Sequence, residues 1–252
     1  MSSKDLKDKE YAVFDRQFKR QAQWTKGFRN NIYRQIGLLN AKRILEVGCG
    51  TGVITKEIRT KCSAKITAID SDPLMIEKAK IMVENVDFLV ENAISIKIKP
   101  SSYDIVFSHY FFLWLPKPSD VLHEMVRVCK KGGYVIALAE PDYGGWIENP
   151  ELSLGKYHIE SLKKQGANPF IGRQLLDLFQ SANLETSISV VAQTWSKNHL
   201  TENIEEEWRR VLETSQISEK EFTEIIRKEK EMIKKNIRMI FIPIFTAVGR
   251  KL

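Results

Sequence analysis

The stretch ILEVGCGTG, residues 44–52, joins a short apolar run to three glycines at alternate positions. A buried strand that ends in glycines and opens a helix lets the backbone approach a ligand closely. It also aims the N–H groups of the helix N-terminus at that ligand. A tight turn is the simpler alternative, but a turn does not need three glycines. The stretch therefore predicts a ligand site at the end of a strand.

Strand-like and helical patterns alternate on both sides of this stretch. Short apolar runs at 43–47, 65–69, 86–90, 103–108 and 134–139 are separated by segments with helical spacing. Such alternation is typical of a parallel sheet with helices on both faces. The length of 252 residues fits one α/β domain with added segments.

The regular alternation ends near residue 140. We expect a sixth strand over 184–195 and a last strand within 239–249, paired in the sheet only after Pro243, which lacks an N–H group. Between them, 204–236 reads as helical, with apolar residues at helical spacing: Trp208, Val211, Leu212, Phe222, Ile225, Ile226 and Ile233. The predicted division is a helical cover (1–40), a core (41–200), a helical lid (201–236) and the last strand (237–252).

Composition limits the function classes. The formal net charge of +7, from 39 Lys+Arg and 32 Asp+Glu, would suit RNA, an anionic membrane or an acidic substrate. The basic residues are dispersed, however, which favours an ordinary solvated surface. The three cysteines lie far apart, which argues against a zinc site or disulfides and for a reducing compartment. With a polar N-terminus and no long apolar run, we expect a cytoplasmic protein without a membrane span.

The spacing of the glycines separates two kinds of cofactor. Dinucleotide enzymes use G-x-G-x-x-G, which would need glycine where Val53 stands. The pattern present is acid-x-G-x-G-x-G, from Glu46 through Gly48 and Gly50 to Gly52. It resembles the first motif of the class I S-adenosylmethionine (SAM)-dependent methyltransferases. The resemblance implies that the loop, including Cys49, makes room for the methionine and ribose of SAM, and that Glu46 helps position the cofactor's amino group.

The next strand ends in ITAIDSDP, which places Asp70 18 residues beyond Gly52. A carboxylate there can accept hydrogen bonds from both ribose hydroxyls, as in dinucleotide folds. Capping of the following helix is the alternative role, although Asp72 is better placed for it. By resemblance, Ser71 and Met75 also belong to the cofactor site.

The third and fourth strands end in further candidate residues. The family usually has Asp-Ala after the third strand, whereas this chain has Asn92-Ala93, and an Asn carbonyl can still accept from the adenine amino group. After the fourth strand, SHYFFLWLP places His109 beside the predicted sulfonium position. His109 could be a general base, a cofactor contact or a polar edge residue. The motifs typical of adenine-N6 and cytosine-C5 methylation are absent here.

The second half resembles one branch of the family. The segments EPDYGGWIENP (140–150), GANPFIGRQLLDLFQSANLE (166–185) and FTAVGRK (245–251) are similar to small-molecule methyltransferases related to the quinone-biosynthesis enzymes. The resemblance implies an N-terminal helix folded over the cofactor, bringing Trp24 and Arg29 to its methionine end. The candidate acceptor residues lie at strand ends: Tyr110, Trp114, Glu140, Tyr143 and Trp146.

Together these features predict a Rossmann-like, seven-stranded sheet, mostly parallel, with an antiparallel last strand inserted beside the fifth. The predicted activity is methyl transfer from SAM to a small-molecule acceptor, leaving S-adenosylhomocysteine (SAH). An RNA or protein methyltransferase, favoured by the basic charge, and a non-catalytic SAM-binding regulator remain alternatives. Val53 counts against a nicotinamide-dependent dehydrogenase. No metal is expected, and the chain could be a monomer or a homodimer.

Overall fold

The computed structural model describes residues 3–192, 194–195 and 217–252, with side chains from Tyr11 onward. Between these ranges it describes six single positions: Leu200, Glu205, Trp208, Arg209, Val211 and Thr214. Leu212, one of the apolar residues of the predicted lid, lies outside the described residues.

The described residues form seven helices and ten strands. The helices are α1 (Ser3–Gln35), α2 (Val53–Arg59), α3 (Pro73–Met82), α4 (Pro118–Val128), α5 (Leu154–Lys164), α6 (Ile171–Ser181) and α7 (Glu219–Lys234). The strands are β1 (Arg43–Val47), β2 (Lys65–Asp70), β3 (Asp87–Val90), β4 (Tyr103–Ser108), β5 (Cys129–Pro141), β6 (Ile147–Asn149), β7 (Leu184–Val191), β8 (Thr194–Trp195), β9 (Met239–Phe241) and β10 (Ile244–Lys251).

Seven strands form the main sheet in the order β3-β2-β1-β4-β5-β10-β7. Strands β1 to β5 pair in parallel, and β10 runs antiparallel between β5 and β7. The predicted fold is therefore confirmed, including the position of the last strand beside the fifth. In this order the carboxyl ends of β1, β2 and β4 meet at one edge, where ligands bind in open α/β sheets.

Helices cover both faces of the sheet. Ile44 and Phe107 point to the face on which α1 and α2 pack, whereas Leu45 and Val106 point to the face covered by α4 and α6. All four side chains are almost completely buried. Strands buried on both faces are continuous apolar runs, which explains why the strands of this region can be recognised in the sequence.

A second, three-stranded sheet in the order β6-β9-β8 was not predicted. The expected strand over 184–195 is two strands in different sheets, since β7 ends at Val191 and β8 pairs with β9. The chain likewise leaves β9, passes Pro243 and enters the main sheet at Ile244. Pro243 has no N–H group to donate to a ladder, so the chain changes sheets at this residue. Its carbonyl accepts from the N–H of Asp142 at 3.0 Å.

A buried ionic triad joins α7 to the second sheet. Arg238 donates from Nε to Glu229 and from Nη2 to Glu148, each at 2.5 Å, and its Nη1 donates to the carbonyl of Pro150. The three charged side chains are at most 1% exposed. On the same helix Phe222, Ile225, Ile226 and Ile233 are buried against the core. No helix in the described ranges is long and apolar enough to cross a membrane.

Replacing Arg238 with Met should strongly destabilise the fold. It leaves two carboxylates buried without their cation, and removing one partner of a buried ion pair costs about 3–5 kcal/mol. The measurement is the urea unfolding midpoint at pH 8 and at pH 5. We expect a smaller loss at pH 5, because burial raises the pKa of Glu229 and its carboxylate can then take up a proton. Arg227→Met is the control, since its ion pairs on α7 are exposed and should contribute little. Equal losses in the two variants would contradict this role of the triad.

Candidate cofactor site

The glycine loop after β1 is pinned to the end of β2. The N–H groups of Gly48 and Cys49 both donate to the carbonyl of Ile69, at 2.8 and 3.0 Å. Gly48 and Gly50 have φ angles of 74° and 51°, in the left-handed region that favours glycine. The loop therefore turns back over the sheet edge at these two glycines.

Two phenyl rings lie directly on these glycines. A Cβ atom at Gly48 would collide with the ring of Phe111, and one at Gly50 would come within 2.9 Å of Phe18 Cε2. Phe111 follows β4, while Phe18 belongs to α1. The absence of side chains at these two positions therefore lets neighbouring groups approach the loop backbone closely.

Asp70 connects the ends of β1 and β2. Its Oδ2 accepts from the N–H of Gly50 at 2.9 Å, and its Oδ1 accepts from the N–H of Asp72 at 3.0 Å. Asp72 in turn caps α3 by accepting from the N–H of Leu74, so the capping role falls to Asp72. Burial raises the pKa of Asp70, and the two backbone donors oppose that rise. Each carboxylate oxygen keeps a lone pair for a further donor.

A cavity of about 100 Å³ opens beside Asp70, at the ends of β1, β2 and β3. Five of the predicted cofactor residues line it: Gly48, Asp70, Ser71, Asn92 and Ala93. Its other lining residues are Ile69, Glu91, Ile94, Phe111, Leu115 and Val121. Of these, Phe111 and Leu115 belong to the run FFLWLP after β4. The many apolar residues of this run are the feature of the sequence that could have indicated an apolar wall here. The cavity thus combines a carboxylate and an amide with an apolar wall.

Seven predicted cofactor residues do not line this cavity. Gly50 is bonded to Asp70, and Trp24, Arg29 and His109 belong to or lie beside α1. The other three are Glu46, Cys49 and Met75. Glu46 is buried and accepts from Thr55 Oγ1 at 2.5 Å. Cys49 packs in the apolar cluster beneath α3, and Met75 is half-buried on that helix.

A buried polar cluster lies under α1, on the other side of the glycine loop. The guanidinium of Arg29 is completely buried and donates to both carboxylate oxygens of Glu57 and to Thr25 Oγ1. Thr25 Oγ1 lies 3.3 Å from His109 Nε2. Burial, with the nearby Arg29 charge, lowers the pKa of His109 well below its usual range. His109 is therefore neutral at physiological pH. Trp24, also on α1, lies against Trp195 of the second sheet with ring centroids 3.9 Å apart.

Two carboxylates at the end of β5 bind backbone. Glu140 accepts from the N–H groups of Phe111, Phe112 and Leu113, and burial raises its pKa to about 7. Asp142 accepts from the backbone N–H and the side chain of Arg173 at the start of α6. These bonds explain why the segment EPDYGGWIENP contains Glu140 and Asp142 and why the segment GANPFIGRQLLDLFQSANLE contains Arg173.

The remaining acceptor candidates surround this strand end. Tyr110 and Tyr143 are buried, Trp146 is half-buried, and Trp114 is 45% exposed on the short turn after β4. Tyr110 has a φ angle of 51°, which is unusual for a bulky residue.

Residues 45–137 match the family model described as a methyltransferase domain. The demethylmenaquinone methyltransferase of Lactococcus lactis is 30% identical over 153 residues, which is 58% of each chain. The malonyl-[acyl-carrier protein] O-methyltransferase of Halalkalibacterium halodurans is 30% identical over 124 residues, 43% of this chain and 46% of that enzyme. The chain thus spans less than two thirds of these relatives.

Solved structures share the fold at low sequence identity. The YcgJ protein of Bacillus subtilis has a TM-score of 0.59 at 14% identity, over 89% of this chain and 99% of its own. Residues 45–137 thus match a methyltransferase domain, and the strand order and the glycine loop are similar to those of the class I SAM-dependent methyltransferases.

The buried Glu46 predicts an unusual pH dependence of stability. Burial raises the pKa of Glu46 to about 8, whereas an unfolded Glu titrates near 4.3. Between about pH 5 and pH 8 the folded state keeps a proton on Glu46 that the unfolded state has released. The stability that Glu46 contributes is therefore lost as pH rises through this range.

Glu46→Gln should therefore gain stability relative to the wild type over this range, by up to about 1.4 kcal/mol per pH unit. Urea unfolding at several pH values measures the difference, with the exposed Glu77→Gln as control. A Glu46→Gln difference that stays constant with pH would contradict the protonated state.

Proposed function

We propose that this protein transfers a methyl group from SAM to a small-molecule acceptor. The observation that carries the proposal is the hydrogen bond between Asp70 and the glycine loop. The carboxylate is held by the N–H of Gly50 and, together with Gly48, lines the cavity of about 100 Å³. The two glycines carry no side chain, so groups can approach the loop backbone closely, as Phe111 and Phe18 do in the structure.

The residues present fit SAM in two parts. Asp70 would accept from the ribose hydroxyls, and Asn92 from the adenine amino group, with Phe111 and Leu115 against the ring. Small-molecule sites measure about 300–1,000 Å³, so the cavity of about 100 Å³ is smaller than the whole cofactor needs, and we assign to it the adenosine end. The methionine part would follow the glycine loop beneath α1, towards Arg29.

SAM, when bound, supplies a methyl group already activated on a sulfonium, which leaves the protein to align the acceptor and exclude water. Arg29 offers a buried positive charge for the cofactor's carboxylate, in exchange for part of its contact with Glu57. His109, neutral and held by Thr25, is the candidate acceptor of a proton from the nucleophile. Glu140 fixes the loop that carries Phe111.

The finer assignments belong to the same proposal. Residues 1–40 and 201–236 are proposed as covers over the core, 41–200, which is completed by the last strand within 237–252. Tyr110, Trp114, Tyr143 and Trp146 are proposed to surround the acceptor, and Glu46, Cys49 and Met75 to support the cofactor site from behind. A cytoplasmic location is supported by the three free cysteines, and the oligomeric state is left open between monomer and homodimer.

Asp70→Ala should weaken SAM and SAH binding by at least tenfold. The substitution removes the acceptor for the ribose hydroxyls and leaves the N–H groups of Gly50 and Asp72 without their partner. Isothermal titration with both ligands measures the effect. Asp87→Ala is the matched control, because this exposed carboxylate lies at the opposite end of the sheet.

The outcomes separate the alternatives. Absence of SAM and SAH binding by the folded wild type would overturn the proposal. Binding that depends on Asp70, without transfer of a labelled methyl group to any of a broad set of small molecules, RNA and proteins, would instead favour a non-catalytic SAM-binding regulator. Labelled RNA or protein would favour a macromolecular acceptor.

A further inference from the structure

Three buried residues of α1 lie on one face of the helix, beside the end of β4. Gln21, Thr25 and Arg29 are four residues apart, which is the spacing of side chains on one helical face. All three are buried, and Thr25 and Arg29 completely so. This face meets His109, the residue that follows β4. The contacts of Thr25 therefore join α1 to the candidate proton acceptor.

The hydroxyl of Thr25 contacts three groups. Its Oγ1 lies 3.2 Å from the carbonyl oxygen of Gln21 and 3.3 Å from His109 Nε2. Nη1 of Arg29 contacts the same oxygen. A hydroxyl has one hydrogen to donate and two lone pairs to accept with, so three partners use all of its hydrogen-bonding capacity.

The chemistry of two of these partners decides the role of the third. A carbonyl can only accept, so Thr25 donates its hydrogen to Gln21, a bond that Thr often makes within helices. A guanidinium can only donate, so Arg29 takes one lone pair. The second lone pair is left for His109, which must then donate from Nε2.

The charge state of His109 extends this assignment to its other nitrogen. Burial, with the nearby Arg29 charge, holds the pKa of His109 well below its usual range. The neutral ring has a single N–H hydrogen, so a hydrogen on Nε2 leaves a lone pair on Nδ1. Glu57 binds Arg29 through Nε and Nη2, at 3.3 and 2.5 Å, which leaves Nη1 for Thr25.

On the basis of the proposed methyl transfer, we propose that Thr25 is a positioning residue, which holds the hydrogen of His109 on Nε2 and so leaves Nδ1 able to take the proton of the nucleophile. Thr25 stands between Arg29 and His109 and offers His109 an acceptor where Arg29 offers only donors. Without the hydroxyl, the neighbouring polar group of His109 Nε2 would be the guanidinium. A donor at this position favours a lone pair on Nε2, so the hydrogen would move to Nδ1 and that atom could no longer take a proton.

The test identifies the nitrogen of His109 that carries the hydrogen, by long-range ¹H–¹⁵N NMR of the full chain without ligand near neutral pH. The chain has four histidines, and loss of signals in His109→Gln identifies those of His109. We expect wild type to carry the hydrogen on Nε2. Thr25→Val keeps the shape of the side chain without its hydroxyl, and should shift the ratio of the two tautomers at least tenfold towards Nδ1–H. Thr25→Ser keeps the hydroxyl and should retain the wild-type tautomer.

Thr223→Val is the matched control. Thr223 also donates to the carbonyl four residues before it, that of Glu219, but it is exposed on α7 and should leave the His109 signals unchanged.

The result that overturns the role of Thr25 is distinct from failure of the proposed function. A wild-type ring with its hydrogen on Nδ1, which requires no variant to detect, would refute the assignment and leave methyl transfer standing. A Thr25→Val ring that keeps its hydrogen on Nε2 would refute it as well. Failure of the wild type to bind SAH in isothermal titration would instead refute the proposed function, whichever nitrogen of His109 carries the hydrogen.

Discussion

One backbone carbonyl organises the edge of the sheet on which the proposed function depends. The carbonyl of Ile69 accepts from two successive N–H groups, and this holds the glycine loop against the end of β2. Asp70 follows Ile69 directly, so its carboxylate reaches the N–H of Gly50 without any adjustment of β2. The positions of the loop and of the carboxylate are thus set by main-chain bonds, which are rigid and tolerate changes elsewhere in the sequence.

The end of β5 uses carboxylates in the same way. Glu140 accepts hydrogen bonds from three successive N–H groups of the loop after β4, while Asp142 binds Arg173 at the start of α6. Gly172 is required because a Cβ there would meet Phe245 and Asp142. Acidic residues at this edge therefore hold loops in place, and one of those loops carries Phe111 to the cavity beside Asp70.

Sequence reasoning was accurate where periodicity is strong and weak where contacts are long-range. The buried strands of the main sheet read as apolar runs, and their order followed from the resemblance, so the fold and the glycine loop were predicted. The second sheet was missed because strands of two or three residues have no measurable period. The ionic partners of Arg238 were missed because they are distant in sequence, with Glu148 90 residues away.

The site shows the same division. Strand-end residues such as Asp70 and Asn92 were predicted because the end of a strand is visible in the sequence. Phe18 was not, because it lies within a helix and its role depends on the distant glycine loop that it meets. Glu46 was predicted to contact the cofactor, but whether its carboxyl is protonated depends on burial and on Thr55, which no spacing rule describes.

The place of β10 in the sheet has a consequence for how the protein is made. In the described structure β7 joins the main sheet only through β10, which runs between it and β5. During synthesis β1 to β5 can pair as soon as they emerge from the ribosome, but β7 must wait for residues 244–251. Until then the edge of β5 is open, with unpaired backbone groups that can join another chain. The emerging chain is therefore exposed to misassembly while 142–243 is being translated, and the length of this period depends on how fast that segment is completed.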